Sequence, residues 1–580
     1  MKKVTTIFAS IMIVFIFSIS TTLAQSGDTL VVYATTANLE EIINNDTTST
    51  GLQAHKAYKL VSLDTTYVFQ GPITVKSDIT VIGVPGSDGR PPCIQPLTLP
   101  DNSLPNFLFV LNGPNTKAVF KNLYLTGKST DNTINTTNYN GAGALIQLTA
   151  EGIRLTVDKV VFSDWPTNNI GYSADNCSIF VTNCVFRNAT VSTAWYSGEA
   201  VRNTYNTASS DTIIMKNNTM FCMAYSALCP VTINPVNYLE FSHNSVIYTF
   251  KNPFWIYNLT NGKVNDNLFY AAFSGASSIT EHFGLWDQLR SFERTGVVDF
   301  DTLNTAMAEW LDPGDIGQPD FMWLAEAKRN IEFKNNVCFW PKLITDFWAQ
   351  WNVDHAGEDS VITPVWLNAR TLGMFADHAH WPGLVSSGNL EVDPQFSSSI
   401  NDVLYDNTGC GNGFFAHFTA VRTNNASTVT TYGYKIANVE GDNWIPEWPL
   451  PETEIMKYEN ASLKAGGTDG KPVGDPNWFG GASAVENTET LPASFALYDA
   501  YPNPFNPSTS VKFSLSKAGN VNLKIYNVMG QLVKTVVDNE FKATGSYEYK
   551  IGMDNYSSGV YLLTLSQGNQ QSTKKIILLK

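Results

Sequence analysis

A short phrase recurs along residues 122–339 and constrains the fold more than anything else in the chain: a polar residue, usually Asn, with apolar residues two and three positions later. It reads Asn122-Leu-Tyr-Leu125, Lys159-Val-Val-Phe162, Asn183-Cys-Val-Phe186, Asn218-Thr-Met-Phe221, Asn244-Ser-Val-Ile247, Asp266-Asn-Leu-Phe269 and Asn336-Val-Cys-Phe339. The shorter steps are about 22 to 26 residues, the length of one coil, and the longer ones are a coil plus an insertion. Such a period, built from short β-rich stretches without amphipathic helices between them, predicts a solenoid of parallel strands. Stacked coils place like residues above one another, so Asn at a bend predicts a ladder of amide hydrogen bonds and Phe a stack in the interior. Lys159 and Asp266 then read as breaks in that ladder.

A solenoid needs capped ends, and residues 38–45 read as a short helix suited to an N-terminal cap. Residues 71–83 alternate like strands and end on Gly, as a first full coil would. Residues 270–330 interrupt the repeat with helix-like segments at 281–292 and 301–310 and a turn-rich 312–315, an insertion that could wall a groove along one flank. Ahead of all this, Lys2 and Lys3, an apolar run over residues 7–19 and small residues ending at Ala24 form a secretory signal pattern, so residues 1–24 are expected to be removed. No later stretch is greasy enough for a transmembrane segment in the mature chain.

The formal charge of −15 is unevenly spread. The last ninety residues hold more Lys than acidic residues, which leaves the body strongly negative and argues against nucleic acid as a partner. A neutral glycan or a protein suits such a body better. An acidic polysaccharide would need bound calcium or a basic cleft. Seven Cys cannot all pair internally, and Cys177 with Cys184 and Cys222 with Cys229 are the candidate disulfides.

At the C-terminus stand Tyr501-Pro-Asn-Pro-Phe-Asn-Pro507, Val511-Lys-Phe-Ser-Leu515, the run from Val521 to Lys534, Ser558-Gly-Val-Tyr-Leu-Leu563 and Lys574-Lys-Ile-Ile-Leu-Leu-Lys580. In this order they resemble the C-terminal sorting domain of type IX (Por) secretion cargo. The alternation of strands with Asn, Gly and Pro turns reads as an Ig-like β-sandwich. The resemblance implies that Tyr501, Pro502, Asn503, Pro504, Phe505, Asn506 and Pro507 form the sorting motif. It also implies that the type IX machinery is a partner, and that the protein passes the outer membrane after Sec export to be released or attached to the surface.

The body resembles pectate-lyase-like proteins through the opening coil with Arg90-Pro-Pro92, the Asn phrases, Asn389-Leu-Glu-Val-Asp-Pro-Gln-Phe396 and Gly467-Thr-Asp-Gly-Lys-Pro-Val-Gly-Asp-Pro-Asn-Trp478. The expected fold is therefore all-β: a right-handed parallel β-helix with helical and loop insertions over residues 25–480, a linker at 481–490, and the sorting domain at 491–580. Lyase chemistry would need calcium on clustered carboxylates and a basic residue, and no such set stands out. Trp351-Asn-Val-Asp-His355 only partly matches a pectate-lyase phrase. His378 and His380, in Asp377-His-Ala-His380, could ligate a metal if they lay on a strand, although no third ligand is evident. Nine of the 14 Trp lie between residues 323 and 478. Trp323, Trp340, Trp348, Trp351, Trp366 and Trp381 are the candidates for stacking on sugar rings, against the alternative that they pack a C-terminal cap. The leading expectation is a polysaccharide-binding surface protein. A polysaccharide lyase or glycoside hydrolase working in a flank groove, and a purely structural surface protein, are the alternatives.

Overall fold

In the computed structural model the chain is mostly β, with parallel sheets through the body and antiparallel sheets at the C-terminus. The structure describes residues 25–26, 28–34, 38–62, 65–130, 143–191, 197–204, 208–225, 227–229, 235–278, 295–303, 314–356, 360–405, 413–423, 431–434, 439–440, 443–444, 447–480, 494–542 and 544–579. The signal segment, the linker at 481–490 and the expected helix at 281–292 lie outside the described residues, as does most of the one at 301–310.

The body strands fall into three rows. First-row Cys177–Thr182 leads to second-row Val185–Ala189 and third-row Val201–Asn203, and the chain returns to the first row at Ser210–Lys216. Each strand pairs in parallel with those one circuit away: Ile179 lies beside Leu155 and Ile213, Phe186 beside Phe162 and Met220, and Val201 beside Ile170 and Leu228. Pairing between circuits satisfies the backbone along the whole stack and leaves unpaired edges only at its ends. The first two rows form one 19-stranded sheet, because Lys117–Thr126 and Arg154–Ser163 run through both, and the third row is a 9-stranded sheet. The interior is one apolar core in which like residues stack, as with Phe162 and Phe186, whose rings lie 4.6 Å apart and 4° from parallel. The short helix expected near residue 38 is present at Leu39–Asn45, with Leu39 and Ile43 in this core.

The turn from first to second row explains the recurring phrase. Asn122, Lys159, Asn183, Asn217, His243, Asp266, Asn335 and Gly388 succeed one another at this turn, all in the left-handed region with φ between 53° and 67°. Asn and Gly tolerate that conformation best, which accounts for most of the column. The ladder is the next position along: Asn218, Asn244, Asn267, Asn336 and Asn389. In each successive pair the later Oδ1 accepts from both the backbone N–H and the side-chain amide of the earlier Asn, at 2.9 to 3.1 Å. The amides of Asn218, Asn244, Asn267 and Asn336 also donate to the carbonyls of Val181, Met215, Phe241 and Val264. Lys159 and Asp266 are therefore not breaks in the ladder, because they occupy the neighbouring turn column.

Two further expectations are corrected. Cys177 and Cys184 are buried free thiols, whereas the side chain of Cys229, the expected partner of Cys222, lies outside the described residues. Cys177 and Cys184 flank the six-residue strand Cys177–Thr182, so their Cα atoms stand well beyond the roughly 7 Å that a disulfide spans. Residues 270–330 do not wholly interrupt the repeat either, since Gly296–Asp299 joins the third row between Phe254–Trp255 and Val365–Leu367.

The outer face of the second row is covered. Phe221, Ile247 and Tyr270 pack with Ile344, Trp348, Val403, Phe414, Phe418 and Met456 in a second apolar core, formed by helices Lys342–Asp354 and Gly413–Arg422 and the chain after them. Arg187, fully buried on this face, donates to the Glu452 carboxylate and the Tyr434 carbonyl, which ties the cover to the sheet. A strap at residues 466–478 then crosses the turn column. Asn335 Nδ2 donates to the Gly466 carbonyl, Thr468 bonds the Asp266 carboxylate through both its N–H and its hydroxyl, and His243 Nδ1 lies 3.0 Å from the Pro472 carbonyl. Asn477 Nδ2 donates to Asn183 Oδ1 and the Asn217 carbonyl.

At the C-terminus a three-stranded and a four-stranded antiparallel sheet share a core that includes Phe505, Phe513, Leu523, Leu563 and Ile576.

Candidate functional site

Helix Phe321–Ala327 and the turn after helix Ala369–Ala376 meet beside the last circuits of the body. Trp323 is 43% exposed and lies 4.2 Å, centroid to centroid, from the His380 ring. Trp381 meets Trp323 edge-on at 5.4 Å and is itself buried. Its Nε1 donates to Glu326 Oε2 at 2.6 Å, and Glu326 is held by Arg329 at 3.0 Å. Arg329 is buried, donates to the carbonyls of Leu259, Asp301 and Tyr257, and lies over the Phe300 ring. The body thus anchors Trp381, and Trp381 braces the exposed indole from behind. Asp377 Oδ2 lies 2.7 Å from His380 Nδ1, and that hydrogen bond holds the carboxyl below the usual carboxylate range. An exposed aromatic ring beside an anionic carboxylate and an imidazole offers one face for stacking and several hydrogen-bonding groups.

The fold unites Trp323, Trp381 and His380, with exposed His378 two residues before His380. It places the other Trp candidates elsewhere. Trp348 and Trp351 are buried in the cover, Trp366 packs on Phe269 in the interior, and half-buried Trp340 donates to the Ala272 carbonyl. Buried rings cannot present a face to a sugar, so Trp348, Trp351 and Trp366 serve packing. The Asp377–His380 segment is a turn rather than the strand that would set both imidazoles on one side. Among the described residues no group of three or more His, Cys, Asp or Glu could hold a metal ion. Glu326 and Arg329 were not singled out from sequence. Their contacts to Trp381 and Tyr257 span 55 and 72 positions, and no local pattern signals them.

The sorting motif is bound to the end of the same domain. Phe505 is buried, its N–H donates to the Ile577 carbonyl, and its carbonyl accepts from Leu579. Asn503 donates to the Lys575 carbonyl and accepts from the Ile577 N–H. Tyr501 exchanges two backbone hydrogen bonds with Ser510, Thr509 Oγ1 donates to the Pro502 carbonyl, and the Pro507 carbonyl accepts from Met553. Pro502, Pro504 and Asn506 are exposed, and the Tyr501 ring is 82% exposed.

The antiparallel domain at the C-terminus holds residues 501–507 against its own last strand, and it is this domain that a comparison with known families recognises. The family model of the secretion system C-terminal sorting domain matches residues 499–579. This domain indicates secretion by the type IX system and an interaction with its machinery, leading to the cell surface or the extracellular space. No curated protein and no solved structure matches the chain. Among the described residues no helix is long and apolar enough to cross a membrane.

Proposed function

We propose that residues 25–480, following a cleaved signal at 1–24, form a right-handed parallel β-helix that binds polysaccharide at the cell surface through Trp323, His380 and Asp377. The linker at 481–490 joins it to the sorting domain at 491–580. Three rows of strands paired circuit to circuit, with Asn stacked at the turn, support the β-helix reading. The observation that carries the binding reading is the exposed Trp323 ring, braced by Trp381 and flanked by His380. Sugar rings present apolar C–H faces to such an indole and hydroxyls to the Asp377 carboxylate and the imidazole. The body's negative charge favours a neutral glycan, and an acidic one would bring in calcium.

The test is a panel of neutral and acidic polysaccharides, with and without calcium, measured on the purified chain and on Trp323→Ala. A buried aromatic anchor is worth about 2 kcal/mol, so the variant should bind about thirtyfold more weakly. Equal affinity of the two proteins refutes the assignment, and new reducing ends or unsaturated uronates would make the protein an enzyme instead.

A further inference from the structure

The outer face of the first row carries a patch that its surroundings do not explain. Arg154, Ser178, Thr212 and Tyr238 form one outward column of this row, and Phe180 belongs to the next. Elsewhere on the same face the residues are wet: Lys117 is exposed, and the side chains of Lys216 and Lys263 are 37% and 43% exposed. Phe180 and Tyr238 are nevertheless buried, at 2% and 9% exposure. Asp211 is also buried, at a register shift where the Ser210–Lys216 strand gains a residue over Cys177–Thr182. Such bulges re-aim side chains. Ser178 and Thr212 each donate to the Asp211 carboxylate at 3.1 Å.

The Arg154 guanidinium lies 4.6 Å over the Phe180 ring, and the sorting domain covers Arg154, Asp211 and Tyr238. Phe541 stacks on Tyr238 at 5.9 Å and 25°, and the Ser516 carbonyl accepts from Arg154 Nη1 at 3.4 Å. The Lys517 charge and the Ala518 N–H face the Asp211 carboxylate. The tag is net positive and the body strongly negative, so the long-range field favours the same union. The hydrogen bonds of residues 501–507 described above stay within the sorting domain, and Tyr501, Pro502, Pro504 and Asn506 are exposed, while residues 516–518 and 541 face the body.

We propose that Arg154, Phe180, Asp211 and Tyr238 form a built docking surface for the chain's own sorting domain, and that the domain stays bound there after the linker is cut. The body would then orient the tag with its motif toward the export machinery, and severing the linker would not by itself release the tag. This inference stands independently of any glycan binding.

The test uses the full chain with a protease site placed in the linker at 481–490. After complete cleavage, gel filtration at roughly 10 µM should return body and tag in one peak, since interdomain surfaces of this kind support micromolar affinity. Tyr238→Ala and, from the opposite side, Phe541→Ala should each weaken the association at least tenfold, and raising the salt should weaken it further. Both residues sit at the surface of their own unit, so circular dichroism of the variants should match that of the parent. Separation of the cleaved parent into two folded peaks overturns the proposal, as does co-elution that both variants leave unchanged.

Discussion

Asp475 anchors the strap, and its proton is predicted to control how tightly the strap closes. The residue is buried, and desolvation pushes its carboxyl up to about 7, against the hydrogen bonds from Asn477 N–H and Thr219 Oγ1 that favour the anion. An opened strap returns the group to water, where its ordinary value is 3.8. The closed-state value is the higher of the two, so the contribution to closure is fully present below pH 3.8, declines as the pH rises, and is lost above about 7. Each tenfold difference in proton affinity is worth about 1.4 kcal/mol, so the whole change is about 4 kcal/mol, or about a thousandfold in the opening equilibrium. Hydrogen exchange at the Gly474, Asp475 and Asn477 amides reads that equilibrium locally, once corrected for the intrinsic pH dependence of exchange. Protection should fall steeply between pH 4 and 7.5. In Asp475→Asn, whose amide stays neutral, it should remain flat and exceed the parent's at pH 8. Flat protection in the parent, or an equal decline in the variant, refutes the argument.

Asn267→Leu should cost about 2 to 4 kcal/mol, because it leaves the buried Asn244 amide and backbone N–H without their shared acceptor, and urea denaturation followed by far-ultraviolet dichroism measures this. Arg187→Met leaves Glu452 buried without its cation and should cost about 3 to 5 kcal/mol. Adding Glu452→Leu should recover part of that loss, and a double variant no more stable than the single one would refute the pairing argument.

The parallel-stranded body was legible because its signal is local and repeated. At the turn between the first two rows one residue per circuit passes through the left-handed region, so Asn recurs there, and the strand that follows alternates between the interior and the covered outer face, so apolar side chains recur too. Alignment on the first polar residue nevertheless mixed two columns: Asn217 and Asn218 are adjacent, one turning the chain and the other bonding the next circuit. The tag was legible for a similar reason, since its Pro- and Asn-rich motif is contiguous. The cover was not, because it is joined to the sheet by contacts such as Arg187 to Glu452, 265 positions apart, and it has no period. The abundance of Trp could not separate the exposed ring of Trp323 from the buried rings of Trp348 and Trp351. Solvent exposure is decided by what packs behind a ring, which residue type alone does not specify.

Under the binding reading, the cover also limits where a polysaccharide could lie. A long binding groove on the second-row flank would need wet, polar outward residues over several circuits. Phe221, Ile247 and Tyr270 occupy that face instead, and they are buried. On the first-row face, the tag lies over Tyr238. What the Trp323 site offers is one indole with two polar neighbours, enough for a sugar or two and hence for weak single-site affinity. Weak sites become effective when many copies are held together, because each further contact is made at the high local concentration set by the first. Type IX export toward the cell surface can supply that arrangement, so under the binding reading the isolated chain should hold soluble oligosaccharides weakly, while a densely decorated surface holds the polymer firmly.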